Sequence, residues 1–271
     1  MRRLFLICAC LLLVRENFLS QEVSWKLISQ SAVKADRLVV DELSNLYLMT
    51  ETSLERRNAV GNGVFRTSEM QWGEFQSIDV TDPLRPFIHF PAAGKIVFFD
   101  NTLSIQGSPI DLYELGFDNV ERMCGSRGDG YWLWDGRNSE LIRVDRSFAR
   151  RYASGNLSIL LNAEIHAVTM MERGSFLFVL ADNFRLYVFD MFGAWKKTIV
   201  MPPGCSIEAD ADKLYVFLQD GNMQVTETQL WQTQQVRLPI EGGQFSYRHG
   251  SLYSIKNGQL STFKFVENVR N

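Results

Sequence analysis

Three histidines are the residues best suited to proton transfer or metal binding in this chain, because imidazole titrates near neutral pH and binds divalent metals. His89, His166 and His249 lie far apart in the sequence. After residue 20 we find no Gly-x-Ser-x-Gly elbow, His-Glu-x-x-His pair, phosphate-binding loop or Cys-x-x-Cys pair. A shared metal site would need the fold to bring the three rings together. The alternative is that each ring is hydrogen-bonded separately as a structural polar residue.

An acidic stretch, "EADADKLY", starts at Glu208 and could suggest calcium, with Asp210 and Asp212 as further oxygen ligands. It lacks the central glycine and the distal acidic ligand of a helix-loop calcium site. The stretch also falls where other repeats place a polar connection between two strands. We therefore interpret it as a solvated turn, and we predict no metal and no cofactor.

The first twenty residues have the pattern of an export signal. Two arginines precede an apolar run from Leu4 to Val14 that is too short to span a bilayer. We predict a signal peptide over residues 1–20, with Gln21 as the mature start. The alternative is lipidation of Cys10, but three leucines follow that cysteine, on the side where cleavage should already have occurred. The protein is therefore predicted to be exported, to the periplasm or outside the cell, with no transmembrane anchor.

Composition points to one well-packed domain over residues 21–271. The 271-residue chain is 46% hydrophobic and 22% charged, and no linker-like stretch divides it. Loss of the signal, with three arginines and one glutamate, moves the formal charge from −3 to −5. Such an acidic chain is a poor nucleic-acid binder. Cys124 and Cys205 are predicted to stay unpaired, because they fall in repeats that a whole further repeat separates.

A repeated phrase positions all these residues. A short aromatic or β-branched run, a polar turn and a second alternating run recur six times, as in "SFLFVLADNFRLYVFD". Five of the six turns carry Asp-Asn, Asp-Gly or Asn-Gly, which tolerate the positive φ angles of tight hairpins, and the first, "ETS" at Glu51, is a degenerate copy. The turns begin at Glu51, Asp100, Asp135, Asp182, Asp220 and Asn257, with a mean spacing of about 41 residues. This period is typical of four-stranded propeller blades.

The flanks of each hairpin complete the architecture. An inner strand precedes and an outer strand follows each copy, which predicts an all-β, six-bladed propeller of four-stranded antiparallel blades. The last copy ends before an outer strand can form, whereas the strand at Val23–Gln30 has no hairpin of its own. We predict that this N-terminal strand completes the last blade and that Trp25 covers the seam. The three histidines should then lie on inner strands of three different blades.

The repeat sequences narrow the kind of propeller. "WD" occurs once, in a turn, and one Gly-Gly pair occurs, so the WD and kelch patterns are absent. "LYVFDMFGAWKKTI", "ELIRVDRSFARRY" and "DRLVVDELSNLYLMT" resemble the NHL-like six-bladed propellers, especially uncharacterised secreted ones of Bacteroidota. The resemblance covers nearly the whole mature chain and implies the fold, but it supplies no catalytic residues.

Two functions stay open on the sequence. The first is a secreted, monomeric, non-catalytic binding or scaffolding module of the cell envelope, with a protein or glycan partner. The second is a metal-dependent hydrolase of the propeller-lactonase type, for which Glu164 on the fourth inner strand is a candidate channel ligand. No acidic or amide set recurs at equivalent channel positions, which favours the first.

Rigidly held loops are the usual binding positions of a scaffold. In a propeller, the turns between second and third strands open on the same face as the crossings between blades. We predict a binding surface there, formed by turn residues Asp100, Asn101, Asp135, Arg137, Asp182, Asn183 and Asp220 and by crossing residues Asp82, Arg85, Asp118, Asn119 and Asn162. The alternative is that the Asp and Asn side chains are present because tight turns require them.

Overall fold

The computed structural model describes residues 23–58, 63–68, 71–75, 77–127 and 129–267. The predicted signal peptide and its cleavage site lie outside these residues. Within them the chain forms six four-stranded antiparallel sheets arranged as the blades of a propeller. The predicted fold class is therefore confirmed. No helix in the described part of the chain is long and apolar enough to cross a membrane.

The first three blades follow one another along the chain, each with its inner strand first. Blade 1 consists of β2 (Arg37–Val40), β3 (Leu46–Met49), β4 (Leu54–Arg57) and β5 (Val64–Thr67). Blade 2 consists of β6 (Ile78–Asp79), β7 (Phe87–Phe90), β8 (Lys95–Phe98) and β9 (Ile110–Asp111). Blade 3 consists of β10 (Val120–Gly125), β11 (Tyr131–Asp135), β12 (Glu140–Val144) and β13 (Arg150–Asn156).

The other three blades repeat the order, and the last one takes its outer strand from the start of the chain. Blade 4 consists of β14 (Ala167–Arg173), β15 (Phe176–Ala181), β16 (Arg185–Asp190) and β17 (Trp195–Val200). Blade 5 consists of β18 (Ser206–Ala209), β19 (Lys213–Phe217), β20 (Asn222–Glu227) and β21 (Gln232–Arg237). Blade 6 consists of β22 (Gln244–Arg248), β23 (Ser251–Lys256), β24 (Gln259–Glu267) and β1 (Val23–Ala32).

Helical structure in the described residues is limited to two short pieces. A 3-10 turn, Pro91–Ala93, joins β7 to β8, and one α-helix, α1 (Leu157–Leu161), lies in the crossing from blade 3 to blade 4. The side chain of Asn156 caps α1 by accepting from the Ile159 amide, and Asn162 ends the helix in the left-handed conformation. Leu157 is the buried anchor of this helix.

The hydrophobic core lies between the blades. Alternating side chains of the second and third strands pack against the neighbouring sheet, giving six apolar clusters around the ring. Trp132 and Trp134, both on β11, point to the same face of their sheet and are fully buried in the cluster between blades 3 and 4. Their predicted core role is confirmed.

The N-terminal strand closes the ring, as predicted. β1 pairs antiparallel with β24 from Val23 opposite Glu267 to Ala32 opposite Gln259, with a register shift between Leu27 and Ser29. Trp25 makes edge contacts with Tyr247 and Phe265 at centroid distances of 6.2 and 5.3 Å, and its Nε1 donates to the Arg237 carbonyl of blade 5 at 2.8 Å. The ring is therefore sealed by the first strand of the described chain.

Blade 2 is displaced by one strand from its predicted register. The inner strand is the two-residue β6, whose residues the sequence pattern assigned to the outer strand of blade 1. Phe87–Phe90, predicted as inner, is the second strand. The turn at Asp100 therefore joins the third strand, β8, to the outer strand, β9. The turn between the second and third strands is the 3-10 turn at residues 91–93. A two-residue strand carries too little alternation for sequence detection.

Cys124 and Cys205 are free thiols, as predicted. Cys124 is buried on β10 in blade 3, and Cys205 directly precedes β18 in blade 5. Blade 4 separates them, as the repeat assignment predicted. Burial raises the pKa of both thiols, so neither is activated as a thiolate nucleophile.

Candidate functional site

The three histidines do not converge in the channel. His89 lies on β7, the second strand of blade 2, because of the register shift described above. His166 directly precedes the inner strand β14, and His249 lies in the turn after the inner strand β22. The prediction that all three sit on inner strands is therefore wrong, although the assignment to three different blades is right. Among the described residues, no group of three or more His, Cys, Asp or Glu side chains is placed to hold a metal ion.

His89 is a partly buried, neutral histidine beside the channel. Its Nε2 is buried and has no hydrogen-bond partner among the described residues. Burial and the nearby positive charge of Arg122 lower its pKa to about 3. The ring therefore stays uncharged at neutral pH.

His166 lies between two carboxylates at one mouth of the channel. Its Nδ1 is 3.1 Å from Glu121 Oε1 and its Nε2 is 3.2 Å from Glu164 Oε1. Both contacts raise the pKa of His166 above its usual value. Glu164, predicted to lie on an inner strand, instead lies in the crossing before β14, and its side chain is 86% exposed.

The channel itself is a central cavity of about 270 Å³. The inner strands of all six blades contribute to its wall. Methionines and aliphatic residues form much of the wall. Its charged side chains are three arginines and two carboxylates: Asp79, Arg122, Arg173, Glu208 and Arg248.

The inner-strand carboxylates are used to join neighbouring blades. Asp79 of blade 2 accepts the Gly125 amide of blade 3 at 3.0 Å, and Glu121 of blade 3 accepts the Ala167 amide of blade 4 at 3.1 Å. Glu208 of blade 5 accepts the Tyr247 amide of blade 6 at 2.8 Å. The same bond thus recurs at three blade junctions. These carboxylates have a structural role, which their sequence positions alone did not reveal.

Glu172 is the most buried of these carboxylates, with 2% of its surface exposed. It accepts hydrogen bonds from the Ser126 hydroxyl at 2.8 Å, the Arg127 amide at 3.0 Å and the Trp132 indole. All three donors belong to blade 3, whereas Glu172 is the last residue but one of the inner strand of blade 4. The sequence alone does not reveal this site, because the donors lie 40 to 46 residues away from Glu172.

The acidic stretch from Glu208 to Asp212 forms the end of β18 and its connection to β19. Asp210 accepts from the Tyr215 hydroxyl at 2.9 Å and forms an ion pair with Arg248 of blade 6. Asp212 is exposed in the turn. The predicted position between inner and second strands is confirmed, and the side chains of Glu208 and Asp210 bind protein groups.

The predicted binding surface divides between the two faces of the propeller. We call the face with the turns between second and third strands and the crossings between blades the upper face, and the opposite one the lower face. On the upper face lie Asp118, Asn119, Asp135, Arg137, Asn162, Asp182, Asn183 and Asp220. On the lower face lie Asp82, Arg85, Asp100 and Asn101, because the turns of blade 2 are displaced by one strand.

Arg85 has a packing role on the lower face. Its guanidinium lies 4.1 Å from the centroid of the Phe98 ring, and its Nη1 is 3.5 Å from the Tyr131 hydroxyl. A hollow of about 360 Å³ beside it is lined by three arginines and three aspartates, so its formal charges cancel. The prediction that Arg85 and Arg137 share a surface is therefore wrong.

Several upper-face residues stabilise their own turns. Asp135 accepts from the backbone and side chain of Asn138 at 3.0 and 2.8 Å. Asn183 donates to the Glu164 carbonyl at 2.7 Å and to the Tyr187 hydroxyl at 3.1 Å, and thus fastens the blade 4 turn to the crossing from blade 3. Arg137 and Asp182 are exposed.

The upper face of blades 3 and 4 also carries exposed apolar side chains. We call these four residues the apolar cluster: Ile159 and Leu160 on α1, Phe184 in the blade 4 turn and Val200 at the end of β17. Their exposed fractions are 79%, 68%, 50% and 80%. None of these four residues belongs to the predicted binding surface, which contains only Asp, Asn and Arg.

Known proteins share the fold at low sequence identity. No protein-family model and no curated protein sequence matches this chain. A structure of a catalytically inactive histidine-to-alanine variant of virginiamycin B lyase from Staphylococcus aureus, with quinupristin, has a TM-score of 0.62 at 9% identity over 90% of this chain and 100% of that chain. The chain is thus a six-bladed propeller resembling those of the virginiamycin B lyase type.

Binding and surface proteins are among the similar structures too. A structure of BBS1N in complex with ARL6DN gives a TM-score of 0.55 at 12% identity, over 87% of this chain and 79% of that chain. PorZ, a surface component of the type-IX secretion system of Porphyromonas gingivalis, gives 0.52 at 10% identity, over 90% of this chain and 38% of that chain. These likenesses show the fold alone.

Proposed function

We propose that this protein is a secreted, non-catalytic binding or scaffolding propeller of the cell envelope, and that it binds a partner protein through the upper face of blades 3 and 4. The observation that carries the proposal is the contrast between the carboxylates of the inner strands and the exposed groups of the upper face. The inner-strand carboxylates that could serve chemistry are hydrogen-bonded across blade junctions. The upper face instead holds exposed groups, Arg137, Asp182 and the apolar cluster among them, on a rigid scaffold.

Two further considerations support an envelope role. The apolar run after Arg3 supports export, and the resemblance of the repeats to NHL-like propellers of uncharacterised secreted proteins is consistent with it. The similar structures include a surface component of a secretion system and a complex with another protein. A partner of this protein would accordingly be sought in the envelope of its own host.

Site-specific photo-crosslinking in the native host tests the proposal. A photoreactive amino acid at Arg137 or Asp182 on the upper face should capture a defined partner. The same group at Lys213 or Leu84 on the lower face is the matched control and should capture much less. Capture confined to the lower-face positions would refute the proposal.

Metal analysis of the purified protein tests the hydrolase alternative separately. A stoichiometric divalent ion, retained after dialysis, would favour a metal-dependent hydrolase over the binding module. Metal at a small fraction of the protein concentration is the result expected for the proposed function.

A further inference from the structure

The members of the apolar cluster lie on three neighbouring segments of the upper face: α1, the blade 4 turn and the end of β17. The Asn183 side chain donates to the Glu164 carbonyl, which holds the blade 4 turn against the segment that follows α1. The Met201 amide donates to the Phe184 carbonyl at 2.8 Å, which places the end of β17 beside the same turn. Phe184 is therefore flanked by Val200 on one side and by the α1 crossing on the other.

Phe184 occupies a backbone position that favours glycine. In four blades, a turn carbonyl accepts the amide that follows the outer strand, and the residue bearing that carbonyl has a positive φ. These residues are Ser139 (φ 49°), Phe184 (56°), Gly221 (79°) and Gly258 (72°). Two of the four equivalents are glycine, and a bulky residue in this conformation is unfavourable. Blade 4 thus holds an aromatic ring, half exposed, where two of the other three blades have glycine.

The helix α1 is an addition of the same kind. Within the described residues it is the one α-helix; Leu157 is its fully buried residue, and Leu161 packs partly buried against the same cluster. Ile159 and Leu160 face solvent at 79% and 68% exposure. Neither the strained turn nor the exposed helix residues contribute to the core, which indicates that the cluster contacts something outside the chain.

The charge around the cluster identifies the kind of partner. Six exposed or half-exposed carboxylates and two guanidinium groups lie in or beside the upper turns and crossings of blades 3 to 5, a formal charge of −4: Glu114, Asp118, Asp135, Glu164, Asp182 and Asp220 against Arg137 and Arg185. A second copy of this surface, an anionic membrane and a nucleic acid would all meet like charge. A basic segment would meet opposite charge.

We propose that the apolar cluster binds a partner protein through a segment in which large apolar side chains are flanked by lysine or arginine. The inference rests on the proposed function and specifies its partner. Phe184 would be the central anchor, because buried aromatic residues dominate protein interfaces. Ile159, Leu160 and Val200 would exclude water around it, and the surrounding carboxylates would steer the basic segment into place.

A defined peptide tests this recognition. The probe is a fluorescently labelled amphipathic helical peptide of leucine and lysine, compared with a leucine/glutamate peptide and a serine/lysine peptide of equal length. The leucine/lysine peptide should bind about tenfold more tightly than either control, and its affinity should fall with salt. Equal binding of the leucine/glutamate peptide would overturn the charge assignment, and equal binding of the serine/lysine peptide would overturn the apolar one.

Protein variants locate the binding. Phe184→Gly should weaken the leucine/lysine peptide about tenfold, as for an interface anchor, while the thermal unfolding temperature does not fall. Leu84→Ser removes an exposed leucine, with 69% of its surface accessible, from the lower face. This variant should bind the peptide with unchanged affinity. Equal loss in both variants would refute the assignment to the cluster.

Crosslinking distinguishes this inference from the function on which it rests. Capture of a partner from Arg137 or Asp182 through a segment without basic residues would overturn the inference and leave the proposed function intact. Capture confined to the lower face would overturn both. Sedimentation analysis adds a control, because a dimer of the free protein that Phe184→Gly dissociates would identify a second copy as the occupant and refute the basic partner.

Discussion

Acidification should destabilise the propeller through His89. The ring nitrogen Nε2 is buried, and burial together with Arg122 lowers the pKa of His89 from 6.5 to about 3. Between these two values the unfolded chain binds a proton that the folded chain excludes, so the free energy of unfolding falls as the pH drops. At about 1.36 kcal/mol per pH unit, the loss attributable to His89 is about 2 kcal/mol at pH 5 and about 4 to 5 kcal/mol near pH 3.

Urea denaturation of the wild type and of His89→Gln at pH 7 and pH 5 measures this loss. Other groups titrate as well; the pKa of His166 is raised by its two carboxylate partners and that of Glu208 by burial. They are common to both proteins, so the difference between the two pH-induced changes isolates His89. The wild type should lose about 2 kcal/mol more than the variant. Equal losses would show that His89 is not held neutral, and His249→Gln, at an exposed histidine, should behave like the wild type.

Three further predictions concern the joints and turns of the ring. Glu172→Ala should cost about 3 to 5 kcal/mol of unfolding free energy in urea, because two buried donors and one partly buried amide lose their acceptor, whereas Glu164→Ala should change it by less than about 0.5 kcal/mol. A chain that starts at Ala32 lacks most of β1 and should melt well below the mature protein by circular dichroism; an unchanged melting temperature would contradict the closure. Phe184→Gly should raise the unfolding free energy by about 1 kcal/mol, because glycine relieves the left-handed conformation, and a clear loss of stability would assign the ring a structural role.

The sequence repeat was sufficient to predict the fold because each blade carries the same local information. Alternating apolar runs and hairpin turns define four strands without any long-range data, and the missing last strand predicted closure by β1. The strands of blade 2 were assigned wrongly because its inner and outer strands, β6 and β9, are two residues each. Without β6, the pattern counted β7 as inner. That single shift moved Arg85 and Asp100 to the wrong face and His89 to the wrong strand.

The contacts of the inner-strand carboxylates were harder to predict, because their partners belong to neighbouring blades. Nothing near Glu172 in the sequence indicates that Ser126 and Trp132 will donate to it, since the pairing depends on how adjacent sheets are rotated. By contrast, the unusual turn at Phe184 was detectable: aligned with the turns that carry Gly221 and Gly258, it has an aromatic residue where two other blades have glycine.

The internal repeat therefore serves as its own reference for separating fold from function. A feature that several blades share, such as a carboxylate that accepts an amide of the next blade at three junctions, is explained by the need to hold the ring together. A feature found in one blade, at an energetic cost and without a core contact, needs another explanation. Phe184 and the exposed face of α1 meet that criterion in adjacent blades and on the same face. Because their neighbours are mostly carboxylates, a basic partner segment would both bury the apolar side chains and pair the charges.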